Sequence, residues 1–295
     1  IDDMTDLSIE QRGSSVNPGT IAIGTARLNK PAYFDDIVVK HVEVNDNLSQ
    51  APEPSISPKD DGGKWQIAEE ENGNFVYCQS VLDDSTHAAL LDNETIGDGI
   101  VQTKFKLQYD NDDRARLYFR ISGGGNGYVA QVRRVANSAY LSLYTTSSFG
   151  LAQQIGNEIS FDNIFAGPNV WHTLKVVLSE NFIKIFLDDQ ANHISQEDSV
   201  YSYGRIAIGT AKLNNIAYFD DIVVKHTEVN NNFSQAPEQT VFTPLDNKAR
   251  WEVSETEAGD YVYRQSALDG DSHNVLLNNE KIGDGTIEVK FKLQY

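Results

Sequence analysis

The chain has 295 residues, with 24 Lys and Arg against 43 Asp and Glu and a formal net charge of −19 at pH 7. At 40% hydrophobic and 10% aromatic residues it carries the apolar mass for packed cores, which excludes wholesale disorder, and its length predicts roughly two domains. An acidic surface of this kind repels nucleic acid and anionic membranes, and without an apolar run of about 18 residues no helix is expected to insert in a bilayer.

In chain order, the first notable stretch is 19–53, GTIAIGTARLNKPAYFDDIVVKHVEVNDNLSQAPE, because it returns at 204–238 with only 7 of 35 positions changed. Residues 64–109 return at 250–295 with 21 of 46 positions changed. A period of this length is a whole domain rather than a solenoid repeat. The expected organisation is therefore the C-terminal part of a preceding repeat at 1–48, a linker at 49–63, a complete domain at 64–229, a linker at 230–249, and the N-terminal part of a following repeat at 250–295. Pro52, Pro54, Pro58, Pro237 and Pro244 mark the two linkers as short, semi-stiff connectors. Two origins fit this pattern: a window on a longer array of such domains, or a chain whose half-domains are completed by neighbouring copies through strand addition.

Within the complete domain, segments rich in β-branched and aromatic residues follow one another at 75–78, 101–107, 115–121, 128–132, 140–144, 171–178, 182–187, 205–209 and 217–224. Turn clusters such as Gly123-Gly124-Gly125-Asn126-Gly127 separate them, and no segment sustains a helical period. The fold class is all-β: an antiparallel β-sandwich, as one complete domain flanked by two partial copies.

The order of Trp65, FKLQY, LYFRIS with its Gly-rich turn, YVAQV, WHTLKVVL, NFIKIFLDD and finally GRIAIGT with AYFDDIVV resembles the concanavalin A-like lectin/glucanase superfamily, in the laminin-G-like jelly-roll branch common in secreted bacterial proteins. The resemblance covers the central domain and, through the internal repeat, both flanking pieces. It implies a jelly roll with a concave sheet that usually carries any glycan. Function is left open, because the fold hosts lectins, lyases, hydrolases and inert spacers.

Chemistry concentrates between residues 114 and 144. Alternation places Ala115, Leu117, Phe119 and Ile121 inward, so Arg114, Arg116, Tyr118 and Arg120 are expected on the opposite face. Gln131 and Arg133 join them from the next strand, followed by Tyr140, Ser142 and Tyr144. Planar rings stack on sugar C–H faces and guanidinium forks hold hydroxyls or carboxylates. Arg116, Tyr118, Arg120, Gln131, Arg133, Tyr140 and Tyr144 are therefore the candidate glycan-binding residues; the opposing reading is a solvated face whose arginines pair with local carboxylates. Asp220 and Asp221, repeated as Asp35 and Asp36, lie on opposite sides of a strand and cannot form an acid/base couple. The resemblance suggests structural calcium there, against a fold-specific hydrogen bond; no other cofactor is required. Sequons at Asn47, Asn93 and Asn232 are candidate glycosylation sites.

Enzyme readings find less support. The E-x-D-x-x-E run of hydrolases with this fold is missing, Glu158 and Asp162 are wrongly spaced on one strand, and His172 belongs to the fold-typical Trp-His strand. Cys78, the lone cysteine, is Arg264 in the other copy and can form no disulfide within the chain. The expected function is a non-catalytic, secreted or surface-bound bacterial repeat protein (stalk, adhesin or filament) with glycans or neighbouring copies as partners. The alternative is a lectin-like carbohydrate-binding module ancillary to a polysaccharide-degrading enzyme.

Overall fold

The computed structural model describes residues 5–11, 19–27, 30–41, 44–46, 56–59, 62–70, 73–108, 111–165, 167, 170–227, 229–231, 242–245, 248–255, 261–269, 271–282 and 285–293. They form strands, in two compact units: Ile1–Val42 with Glu228–Tyr295, and Glu43–Thr227.

The smaller unit takes its first strands from the start of the chain, β1 (Thr5–Gln11), β2 (Gly19–Ala26) and β3 (Ala32–His41). The larger unit holds β4 (Val44–Asp46), β5 (Ile56–Pro58), β6 (Trp65–Glu69), β7 (Phe75–Gln79), β8 (Thr86–Ile96), β9 (Gly99–Leu107) and β10 (Asn111–Ile121). It continues with β11 (Gly127–Val135), β12 (Ser138–Ser147), β13 (Gly150–Phe161), β14 (His172–Ser179), β15 (Phe182–Leu187), β16 (Ile194–Glu197), β17 (Gly204–Ala211) and β18 (Ala217–His226). The smaller unit resumes with β19 (Val229–Asn231), β20 (Phe242–Pro244), β21 (Trp251–Glu255), β22 (Tyr261–Gln265), β23 (Ser272–Ile282) and β24 (Gly285–Leu293).

The larger unit is an antiparallel β-sandwich. One sheet runs β13-β12-β11-β10-β17-β8-β5 and the other β16-β15-β14-β9-β18-β7-β6, with β4 also on β18. Alternation along β9, β10, β14 and β17 sends Val101, Phe105, Leu117, Phe119, Leu174, Val176, Ile206 and Ile208 into one core between the sheets. Trp65 closes its edge against Phe219, ring centroids 5.7 Å apart. Among the strands in it that the sequence pattern did not mark are β4, β5, β8, β13 and β16. Strand β5 falls inside the expected linker at 49–63, because Ile56 is apolar and enters the core beside Leu91. The rest of that linker, apart from Pro58, Lys59, Gly62 and Gly63, lies outside the described residues, as does most of the linker at 230–249.

The smaller unit joins the two flanking pieces to each other. Its sheets are β1-β24-β3-β22-β21, with β19 on β3, and β2-β23-β20. Ile21, Phe34, Ile37, Val39, Tyr263, Val275 and Leu277 form its core, and Trp251 stacks on Tyr263 at 5.3 Å. The stretch 110–186 has no counterpart in this unit. Where β9 of the larger unit pairs with β14, the equivalent β24 pairs with β1 over seven residues.

Two close approaches shape the larger sandwich. A β-carbon on Gly204 would lie 2.4 Å from the Arg120 carbonyl carbon, and one on Gly127 would lie 2.6 Å from the Arg120 carbonyl oxygen. Both neighbours of β10 are thus glycine where that strand bulges at Arg120, which has φ 52°. At Gly209 a β-carbon would come 2.7 Å from the Tyr118 ring, so the missing side chain makes room for that ring on the outer face of the sheet.

Candidate functional site

The outer face of the β10–β13 sheet collects most of the predicted glycan-binding residues, and register explains how. Arg116 lies opposite Gly209 on one side and Gln131 on the other, and Gln131 lies opposite Ser142. One step along, Tyr118, Val129 and Tyr144 form the next row; on the other side Arg114, Arg133 and Tyr140 form another.

The middle row is a buried floor. Arg116 Nε donates to Gln131 Oε1 at 2.9 Å, and its Nη1 donates to Thr86 Oγ1 at 2.8 Å and to the Tyr118 hydroxyl at 3.3 Å. Tyr118 in turn donates to the Phe149 carbonyl at 3.2 Å, and the two rings meet edge to face at 5.7 Å. Phe149 reaches that position through the turn between β12 and β13, where Ser148 and Phe149 both have positive φ. Sequence reasoning missed Thr86 and Phe149; the Ser148-Phe149-Gly150 turn is the one signal that could have found the second. The Ser142 hydroxyl is fully buried in this floor and has no hydrogen-bond partner among the described residues.

Above the floor lies a half-buried rim of Tyr140, Tyr144 and Arg133, with Phe149 and Leu151 packed against the apolar part of the same face. Arg133 stacks over the Tyr140 ring at 4.4 Å and pairs with Glu158 at 3.1 Å. At the same end Asp112 gathers Arg114, Lys212 and Arg133. Burial works to raise the Asp112 carboxyl, but hydrogen bonds from Arg114 and Lys212 hold it below the ordinary carboxylate range.

Arg120 does not share this face. The bulge after Tyr118 breaks the alternation, and its side chain, 1% exposed, turns into the end of the sandwich. There it donates to the carbonyls of Gly97, Tyr201 and Glu180 at 3.0–3.1 Å and pairs with Asp98 at 3.0 Å. It therefore ties three loops together: those joining β8 to β9, β14 to β15, and β16 to β17.

The paired aspartates occupy a second bulge, in β18. Asp220 is buried; it accepts the Asn74 amide at 2.9 Å and the Asp221 backbone N–H at 2.8 Å, and burial pushes its carboxyl up from the ordinary value. Asp221 has φ 45° and pairs with Lys104 at 2.5 Å. Among the described residues no three His, Cys, Asp or Glu side chains gather into a metal-binding group. His172 is buried between Phe105 and Phe165, its Nδ1 2.6 Å from Asp188. Asn47 and Asn232 lie outside the described residues, and Asn93 falls within β8.

No known family's sequence profile matches the chain, and no curated protein matches it in sequence. In structure it is similar to the carbohydrate binding module CBM66 from Bacillus subtilis, at TM-score 0.46 and 20% identity over 58% of this chain and 96% of that one. It is also similar to a Bacillus subtilis protein of unknown function with a galectin-like fold, at TM-score 0.46 and 14% identity over 65% and 99%. A third likeness is the beta-glucanase of Bacillus licheniformis, at TM-score 0.44 and 12% identity over 62% and 97%.

Proposed function

We propose that this protein is a non-catalytic repeat protein of the cell exterior, a stalk, adhesin or filament of β-sandwich units, that holds glycan weakly on the outer face of the β10–β12 sheet. The observation that carries the reading is the composition of that face. Arg116, Tyr118, Gln131 and Ser142 form a buried, hydrogen-bonded floor in which the Ser142 hydroxyl has no partner among the described residues, and the Tyr140 and Tyr144 rings stand half-buried beside it. A polar floor with aromatic walls suits a sugar, whose hydroxyls want fixed partners and whose C–H faces want rings.

The acids nearest this face are engaged elsewhere, Glu158 with Arg133 and Asp112 with Arg114 and Lys212. They neutralise arginines rather than flank a cleavable bond, which favours binding over hydrolysis. A weak site repeated along an array gains strength by avidity, so none of the sites needs to be tight alone. The net charge of −19 keeps such arrays apart and soluble.

Affinity electrophoresis through gels holding a neutral β-glucan or a uronate polysaccharide tests the reading. Wild-type protein is expected to be retarded in at least one gel, and Tyr144→Ala to weaken that retention about tenfold, the effect of losing about 1.4 kcal/mol. Arg133→Ala is expected to act in the same direction. Unretarded migration of folded wild-type protein through every gel would overturn the proposal.

A further inference from the structure

The segment that follows each Asp-Asp-Ile-Val-Val strand exchanges places between the two units. Two residues after β3 ends at His41, β4 pairs with β18: Val44 opposite Val224, Asn45 opposite Val223, Asp46 opposite Ile222. Two residues after β18 ends at His226, β19 pairs with β3: Val229 opposite Val39, Asn230 opposite Val38, Asn231 opposite Ile37. The internal repeat makes these the same pairs in the same register, and each tail belongs to the unit whose terminal strand it covers. This is the pattern of a domain swap, in which identical elements are exchanged with their contacts kept.

Local chemistry explains why a tail does not fold back on its own strand. Closing in this register would make Lys225, His226, Thr227 and Glu228 a four-residue hairpin loop, or Lys40, His41, Val42 and Glu43 in the other copy. Neither loop holds a Gly, Pro, Asn or Asp, the residues that tight turns use, and each carries a β-branched residue at its third position. Turning there would also strip ladder pairs already made. Lys225 and His226 pair with Ile100 and Gly99, and Lys40 and His41 pair with Thr286 and Gly285. Each tail pairs instead with the terminal strand of the other unit.

We propose that this tail is a coupling strand, and that the β3 and β18 edges accept the tail of a second copy of this chain. The occupant follows from the sequence: the strands AYFDDIVVKH are identical in both units, so an edge cannot tell the tail of its own chain from that of another. Tethering gives the tail of the same chain an effective concentration on the order of millimolar, so a second copy enters when chains are concentrated or folded together. This coupling is independent of the glycan reading and supplies a way for units to join end to end without new contacts.

The test uses full-length chains carrying Cys78→Ser, with folding of every variant checked by circular dichroism. Chains with Asn45→Cys and chains with Val223→Cys are denatured, mixed, refolded together and oxidised. The expected result is a disulfide-linked dimer whose fraction rises with protein concentration, while Asn45→Cys/Val223→Cys in one chain closes mainly as a monomer. Asn230→Cys/Val223→Cys, which reports the folded-back hairpin, is expected to cross-link poorly. The proposal is overturned if the mixed chains give no dimer at any concentration while the Asn45→Cys/Val223→Cys chain closes. It is equally overturned if the Asn230→Cys/Val223→Cys chain closes readily and the Asn45→Cys/Val223→Cys chain does not.

Discussion

Three arginines on two neighbouring strands illustrate how little the residue type alone decides. Arg116 is locked into a floor by Gln131 and Thr86, Arg133 stacks over Tyr140 at a half-open rim, and Arg120 is fully buried with carbonyl and carboxylate partners from three loops. Alternation correctly places Arg116, Tyr118, Gln131, Arg133, Tyr140 and Tyr144 on one face. Arg120 departs from them because of a bulge, and the bulge depends on Gly204, distant in sequence and close only in the folded sheet. Removing the Arg120 side chain takes the guanidinium donors from the Gly97, Tyr201 and Glu180 carbonyls and the counter-charge from Asp98, and leaves a void where a buried side chain stood. Arg120→Ala is therefore expected to lower unfolding stability by about 3–5 kcal/mol in urea, with glycan retention unchanged where the protein remains folded. A variant as stable as wild type but no longer retained would reverse the roles assigned to Arg116 and Arg120.

At the scale of the strand, bulges reset which residues face inward. Along β18, Ala217 and Phe219 point into the core, then Asp220 and Asp221 absorb one extra residue, after which Ile222 and Val224 point inward. The carboxylates accordingly serve the bend: Asp220 caps the Asp221 N–H and holds Asn74, and Asp221 answers Lys104. With those oxygens already engaged, the thermal unfolding temperature is expected to be the same in EDTA as in millimolar calcium. A clear rise in calcium would instead mean that the ion binds the native state and displaces these partners. The strands that escaped prediction did so for readable reasons. Strand β13 lies at a sheet edge and exposes Ala152, Gln153 and Gln154 in succession, so it lacks the alternation that marks a half-buried strand. Strand β8 buries five consecutive residues, His87 to Leu91, because both faces of its sheet are covered there; such a run does not distinguish strand from helix by period.

Over the whole molecule, the duplication was legible because it is written almost verbatim, and the sandwich because its strands are short, branched and punctuated by turns. Repetition tells which strands are alike; it does not tell which strands pair. Hence the flanking pieces, read from the sequence as parts of two different domains, are found joined through β1, β3, β22 and β24, and two stretches read as linkers contribute strands. What unites the levels is a sheet face with a polar floor and an aromatic rim, carried on a β-sandwich. The measurement that tests this most directly is calorimetric titration of oligosaccharides from several polysaccharide classes, with the recovered sugar analysed for cleavage. The account predicts saturable weak binding to at least one class, diminished by Tyr144→Ala, with the sugar recovered intact. Shortened or unsaturated products would contradict it by making the protein an enzyme, and the absence of heat from every class would leave the face without a ligand.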